Sequence, residues 1–136
     1  MRALVLHGPL HLRVEDRPPA PLAPGRVRVA LVAAGVCSSD LPRVRGDAGR
    51  FPLVLGHELA GIVAAHADLP GAPAVGTPVT IFPLLPCFAC PSCVAREFAR
   101  CLSYDYFGSR RDGGFATHLD VPPWNLLPLP PGVDLR

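Results

Sequence analysis

No apolar run in this chain is long enough to span a bilayer. The longest, Val29 to Cys37, covers nine positions, against the ~20 that a transmembrane helix needs. An export signal is missing too: Ala3-Leu4-Val5-Leu6 is too short for a signal-peptide core and is broken at once by His7, Gly8 and Pro9. Both absences predict a soluble, cytoplasmic protein. Lysine is absent altogether, all thirteen basic residues being arginine, which reads as compositional bias and excludes no chemistry. The formal net charge is only +2 and the arginines are spread along the chain, so there is no electrostatic case for a nucleic-acid partner. No G-x-G-x-x-G occurs, and 136 residues hold one core with no room for the βαβ units that such a dinucleotide fingerprint needs. Internal repeats and low-complexity tails are likewise missing.

What is present is a chain 49% apolar, with eighteen prolines and thirteen glycines. Each proline withdraws a backbone donor, which predicts short strands and irregular turns in place of long helices. Met1–Leu6 and Leu12–Asp16 read as a hairpin turning at His7-Gly8-Pro9, and Pro18–Gly25 as a proline-rich connection. Arg26–Val32 alternates and then becomes wholly apolar, as a strand does when it enters a core. Ser38, Ser39 and Asp40 are good caps for a helical turn over Leu41–Arg45, followed by a loop over Gly46–Phe51. Leu53–Gly61 surrounds His57-Glu58, and Ile62–Ala65, Pro78–Phe82 and Phe115–Val121 complete the strand candidates. The expectation is an all-β sandwich or barrel.

Four cysteines fall within fifteen residues, Cys87, Cys90, Cys93 and Cys101, as C-x2-C-x2-C-x7-C. Two-residue gaps let successive thiolates curl around one point, and the longer gap brings in the fourth, which predicts a structural zinc site. An iron–sulfur run fits less well, because the bacterial ferredoxin spacing has three residues before its last cysteine and proline after it, whereas Leu102 follows Cys101. Two disulfides would need an oxidising compartment that the N-terminus does not suggest.

The fifth cysteine, Cys37, follows the apolar strand, and Gly56-His57-Glu58 comes twenty residues later. A thiolate, an imidazole and a carboxylate are the ligand types of a catalytic zinc with an open position. By themselves they also read as an ordinary buried cysteine and a satisfied core histidine.

Gly35-Val36-Cys37-Ser38-Ser39-Asp40, then Gly56-His57-Glu58-Leu59-Ala60-Gly61, then the four-cysteine lobe, stand in the order and spacing of the zinc-dependent medium-chain alcohol and polyol dehydrogenases. Nearly the whole chain resembles the N-terminal, GroES-like domain of that family. The sharpest stretches are Pro83–Pro91, Ser39–Arg43 and Gly108–Ala116. They resemble members that oxidise a phosphorylated sugar alcohol with NAD. Ser38, Gly76-Thr77-Pro78-Val79 and Thr117-His118 depart from the family pattern without removing a metal ligand.

The resemblance implies a mainly β fold, a GroES-like barrel spanning 1–136 with a small four-cysteine zinc lobe at about 86–104. It implies Cys37 and His57 as ligands of a catalytic zinc and Glu58 as ligand or close neighbour. Ser39 would relay the hydroxyl proton, unless it serves as a helix cap, and Asp40 would orient a ligand or the loop. Arg43, six residues beyond Cys37, is the candidate for a substrate phosphate because guanidinium forks suit that anion; Arg110 and Arg111 are second choices, and a solvated surface arginine is the ordinary alternative. The substrate implied is a sugar alcohol or its phosphate, of the galactitol 1-phosphate kind. The family binds NAD on a separate Rossmann domain that this chain lacks, so no cofactor-binding residue is expected here and no turnover from this chain alone. The full-length enzyme would be a homo-oligomer. Two other classes compete: a zinc-binding interaction module, thinly supported by Phe88, Arg96, Glu97, Phe98 and Arg100 around the thiols, and a co-chaperonin-type structural module, which has no reason to carry two metal sites.

Overall fold

The computed structural model describes residues 1–18 and 20–135; Pro19, within the proline-rich connection, and Arg136 lie outside the described residues. Alternation of buried and open positions along Arg2–Gly8 makes it a strand, β1, whose Ala3, Val5 and Leu6 are wholly buried. It pairs antiparallel with β2 (His11–Asp16). The hairpin turns one step later than the sequence suggests: His7 and Gly8 continue the strand, and Leu10 takes the positive φ. Pro9, with its fixed φ, starts that turn.

β3 (Val27–Gly35) is the central strand. It lies between β5 (Glu58–Ala65) and β9 (His118–Val121) in a five-stranded antiparallel sheet of order β10-β6-β5-β3-β9, with β6 at Pro78–Ile81 and β10 at Leu126–Pro128. The second sheet is β2-β1-β4, where β4 is the short Leu53–Val54. The two are joined by the segment before β9. Ala116 bridges Ala3, and the Leu4 amide donates to the Phe115 carbonyl at 2.7 Å before the chain moves on to pair with β3. This closes the barrel around Val27, Val29, Val63, Val79 and Val121. Arg28 of β3 and Asp120 of β9 face each other in register and form a bidentate pair at 2.8 Å, which holds the Arg28 guanidinium more firmly charged.

Ile62–Ala65 is the second half of β5, not a strand of its own, and β10 was invisible in the sequence because Pro122, Pro123, Pro128 and Pro130 surround it. β10 lies at the sheet edge, where a strand tolerates proline. The helical turn is present as α1 (Asp40–Pro42), continued by a wider turn over Arg43–Asp47.

The cysteine lobe leaves the barrel at β7 (Leu84–Leu85) and returns at β8 (Asp105–Tyr106), which pair with each other. Inside it lie one short helix, α2 (Pro91–Val94), and a tight turn at Phe98–Arg100. Its root is clamped by Asn125, the chain's single asparagine. That side chain is fully buried, and its amide donates to the carbonyls of Phe82 (2.6 Å) and Leu84 (2.7 Å). Among the described residues no helix is long and apolar enough to cross a membrane.

Candidate metal centres

In the lobe the four sulfurs lie within 4.8 Å of one another. The Cys87–Cys93 and Cys90–Cys101 separations are 3.9 and 4.0 Å. A tetrahedron with arms of ~2.3 Å has edges of ~3.8 Å, whereas a disulfide needs about 2.05 Å. The cysteines are all free thiols at metal-like spacing. Backbone amides turn onto them: Cys90 N–H donates to Cys87 Sγ at 3.3 Å, and Cys87 N–H to Cys101 Sγ at 3.2 Å. Such donors favour the thiolate. Amides of Leu102 and Cys93 pull the Cys90 thiol down to about 6, and those of Ala89 and Cys90 lower Cys87. Burial pushes Cys93 up to about 12, so it ionises only when a cation replaces its lost hydration. A soft dication suits that donor set.

The lobe also has an apolar anchor. Phe88 and Phe98 stand edge-on to Trp124 of the barrel, with centroids 5.3 and 5.5 Å away, and Phe82 meets the same indole at 5.6 Å. Edge-to-face geometry is the favoured arrangement for such rings.

The second cluster is built by strand register. Gly35 at the end of β3 pairs with Glu58 at the start of β5. Cys37 and His57, each just outside its strand, therefore meet at one end of the sheet, and ligand atoms of Cys37, His57 and Glu58 lie within 4.8 Å of one another. His57 is 8% exposed and Asp40 only 2%. Asp40 Oδ2 accepts the Cys37 amide at 3.1 Å, while Oδ1 stands 3.5 Å from His57 Nδ1, and these last two atoms have no other partner. The carboxylate thus touches both the loop and the imidazole. Ser39 occupies the position before α1 but makes no capping bond, which leaves its hydroxyl in the cleft.

His57 is seated by backbone. Gly56 has φ +93°, and a Cβ there would lie 2.4 Å from the Phe115 ring; one on Gly113 would lie 2.1 Å from the Gly56 carbonyl oxygen. Only glycine lets the Gly108–Gly114 segment cross so closely behind the histidine. The Gly-Gly pair in the sequence was the visible trace of that crossing.

A cleft of about 450 Å³ opens at this cluster, lined by Ser39, Arg43, His57, Leu84, Tyr106 and Ser109 among others. Arg43 therefore does line it, with Nη1 donating to the Ser39 carbonyl. Arg110 does not converge on it: its guanidinium covers the Tyr104 ring at 4.0 Å and donates to the Tyr104 carbonyl. Arg111 is paired with Asp105. Sequence reasoning missed Tyr106, whose ring meets His57 edge-on at 5.8 Å. Burial raises its phenol, the Cys37 charge adds to the rise, and Arg43 opposes it. A larger cavity of about 570 Å³ lies elsewhere, beside His118–Asp120 of β9 and Val54 of β4. Its arginines are held by acids already, Arg28 by Asp120, Arg50 by Asp112 and Arg111 by Asp105, so they do not converge on a ligand.

The chain belongs to the alcohol dehydrogenase GroES-like domain family, which matches residues 23–131. Galactitol 1-phosphate 5-dehydrogenase of Escherichia coli (strain K12) is 43% identical over 111 residues, covering 81% of this chain and 32% of that protein. The solved Escherichia coli galactitol-1-phosphate dehydrogenase superposes with a TM-score of 0.89 at 37% identity, over 99% of this chain and 40% of the other. A probable zinc-binding alcohol dehydrogenase of Mycobacterium tuberculosis is 33% identical over 139 residues, 98% of this chain and 36% of that protein. A short chain alcohol dehydrogenase from Escherichia coli CFT073, solved in complex with NADH, gives a TM-score of 0.91 at 30% identity, over 98% of this chain and 40% of the other. The chain spans about a third of the length of these curated relatives.

Proposed function

We propose that this chain is the catalytic domain of a zinc-dependent NAD-linked polyol dehydrogenase, with one structural zinc in the lobe and one catalytic zinc in the cleft, acting on a sugar alcohol or its phosphate. The observation that carries the reading is the convergence of Cys37, His57 and Glu58 at the end of the β3–β5 pair, beside a separate set of four sulfurs. Strand register brings the two strand ends together, but it gives no reason for all three donor side chains to face one point. The donor chemistry fits zinc in both places: four thiols at tetrahedral spacing in the lobe, and a thiol, an imidazole and a carboxylate in the cleft. When bound, zinc supplies Lewis acidity that lowers the pKa of a substrate hydroxyl.

Cys87, Cys90, Cys93 and Cys101 would hold the lobe's metal, and Cys37 and His57 the other, with Glu58 as a third donor beside them. Asp40, whose Oδ1 stands 3.5 Å from His57 Nδ1, would orient the ring, and the other ring nitrogen would then be the one to hold the metal. Ser39 accepts the substrate's proton at Oγ and passes it toward solvent. Arg43 binds the charged end of a phosphorylated substrate, where its planar fork makes two parallel bonds. The net reaction is loss of a hydride from the carbinol carbon to NAD+ and of a proton to water, giving a carbonyl compound and NADH. NAD would occupy a Rossmann domain outside these residues, so this domain alone does not turn over. The working enzyme is a soluble cytoplasmic homo-oligomer.

Metal analysis tests the reading. The zinc-loaded chain should carry two equivalents, and Cys37→Ser should carry one, with the lobe still filled. One equivalent in the unaltered chain would favour a zinc-binding interaction module, and a Cys37→Ser, His57→Ala enzyme that still oxidised polyols would place the chemistry elsewhere.

A further inference from the structure

We propose that Tyr106 is the residue that selects a polyol over a monohydric alcohol in this cleft, its hydroxyl hydrogen-bonding the substrate hydroxyl next to the carbon being oxidised. The inference rests on the dehydrogenase reading above. Tyr106 is rigidly placed. It pairs with Leu84 across the root of the lobe, its own amide donates to Asp105 at 2.8 Å, and its carbonyl receives the amides of Arg110 (3.1 Å) and Arg111 (3.2 Å). The ring stands edge-on to His57. Among the described residues its hydroxyl has no hydrogen-bond partner.

Tyr106 lines the same cleft as Ser39, His57 and Arg43, with its ring centroid 5.8 Å from that of His57. It therefore shares the cleft with His57, which would help to hold the reacting hydroxyl, and with Arg43, which would hold a charged end. Phe82, Leu84 and Ala99 supply the apolar part of the lining, and Tyr104 and Ser109 complete it. With Ser39 committed to the proton and Arg43 to the charged end, Tyr104, Tyr106 and Ser109 are the polar lining residues without a role, and of these it is the Tyr106 ring that meets His57. A vicinal hydroxyl placed beside His57 against the apolar part of this lining keeps a hydrogen bond through the phenol, and a monohydric alcohol has no group there to satisfy.

Tyr106→Phe removes the hydroxyl and keeps the ring against His57, so the metal seat should be undisturbed. In the enzyme that carries this domain together with its cofactor domain, kcat/KM for galactitol 1-phosphate should fall about tenfold, mainly through KM, as for one lost hydrogen bond. The value for 2-hexanol should stay within about twofold, and zinc should remain at two equivalents. Isothermal titration of galactitol into the zinc-loaded protein without NAD gives a second readout, with binding weakened by a similar factor. Equal effects on both alcohols, or none on either, would overturn the proposal; if the parent enzyme oxidised neither substrate, the dehydrogenase reading would fail and unchanged galactitol binding would refute the role of Tyr106 separately. Loss of zinc in Tyr106→Phe would make the residue a support of the metal seat and also overturn it.

Discussion

The two cysteine-bearing sites are built on opposite principles. In the lobe all four donors come from fifteen consecutive residues, and the backbone needs only tight local turns, with amides of Cys87 and Cys90 pointing at sulfur, to gather them. In the cleft the donors come from the ends of two strands, and they meet because β3 and β5 pair with Gly35 opposite Glu58. A local site of this kind is closed and saturated with protein ligands. The long-range site has fewer protein donors, one of them exposed, and opens on a cavity. On the proposed reading the difference would separate holding a fold from handling a substrate: four thiolates leave a metal no free position, whereas three donors at a cleft do.

The largest expected effect breaks the local site. Cys93→Ser should cost the lobe its zinc, whose binding in small modules is worth on the order of 10 kcal/mol. Hydrogen exchange over 86–104 should then accelerate while β3 and β5 amides stay protected. The edge-on contacts of Phe88 and Phe98 with Trp124 should keep the lobe's base attached, which fluorescence of Trp124, the single tryptophan, reports. Exchange rates unchanged on zinc loss would show that the aromatic anchor alone orders the lobe.

Gly56→Ala strikes the long-range site through the backbone. A Cβ at φ +93° and 2.4 Å from Phe115 should destabilise the barrel by about 2–4 kcal/mol in chemical denaturation and abolish the cleft's zinc but not the lobe's. A variant with unaltered stability and two zinc equivalents would show that the crossing relaxes. Asp40→Asn is milder: it keeps the shape and removes the charge facing His57 Nδ1, so cleft affinity for zinc should drop about 10–100-fold in a chelator competition, with lobe affinity unchanged.

The smallest effect sharpens the contrast inside the lobe. In metal-free, reduced protein at pH 7, Cys90, with its pKa near 6, should be alkylated ahead of Cys93, which burial holds near 12. Peptide mapping after a short iodoacetamide pulse reads the order, and prior zinc should protect both. Alkylation of Cys93 first would mean that the metal-free lobe does not keep this arrangement.

Much of this was legible in the chain because period and spacing are local properties. The apolar run over Val29–Val32 does lie in β3, although the alternation continues through it, with Val27 and Val29 buried and Val32 exposed, and the C-x2-C-x2-C spacing gathers in the lobe as its turns require. Strand limits were less legible where proline obscured the pattern, at the His7–Leu10 turn and along β10. The cleft residues were named from motif order, yet Ser39 as a cap failed, since its hydroxyl makes no capping bond. Arg43 and Arg110, alike in sequence, part company in space: one lines the cleft and the other lies over Tyr104.

The sequence by itself determined residue types and their local spacing, and with them the lobe's four sulfurs and the β character of the chain, because turns and strand periodicity act over a few residues. Only the tertiary structure decided that Gly35 pairs with Glu58, that Asp40 and His57 turn their last open atoms toward each other, that Gly56 and Gly113 cross in contact, and that Tyr106 meets His57. Those contacts join positions about 20–60 residues apart, and their register is selected by which apolar faces can be buried together across the whole barrel.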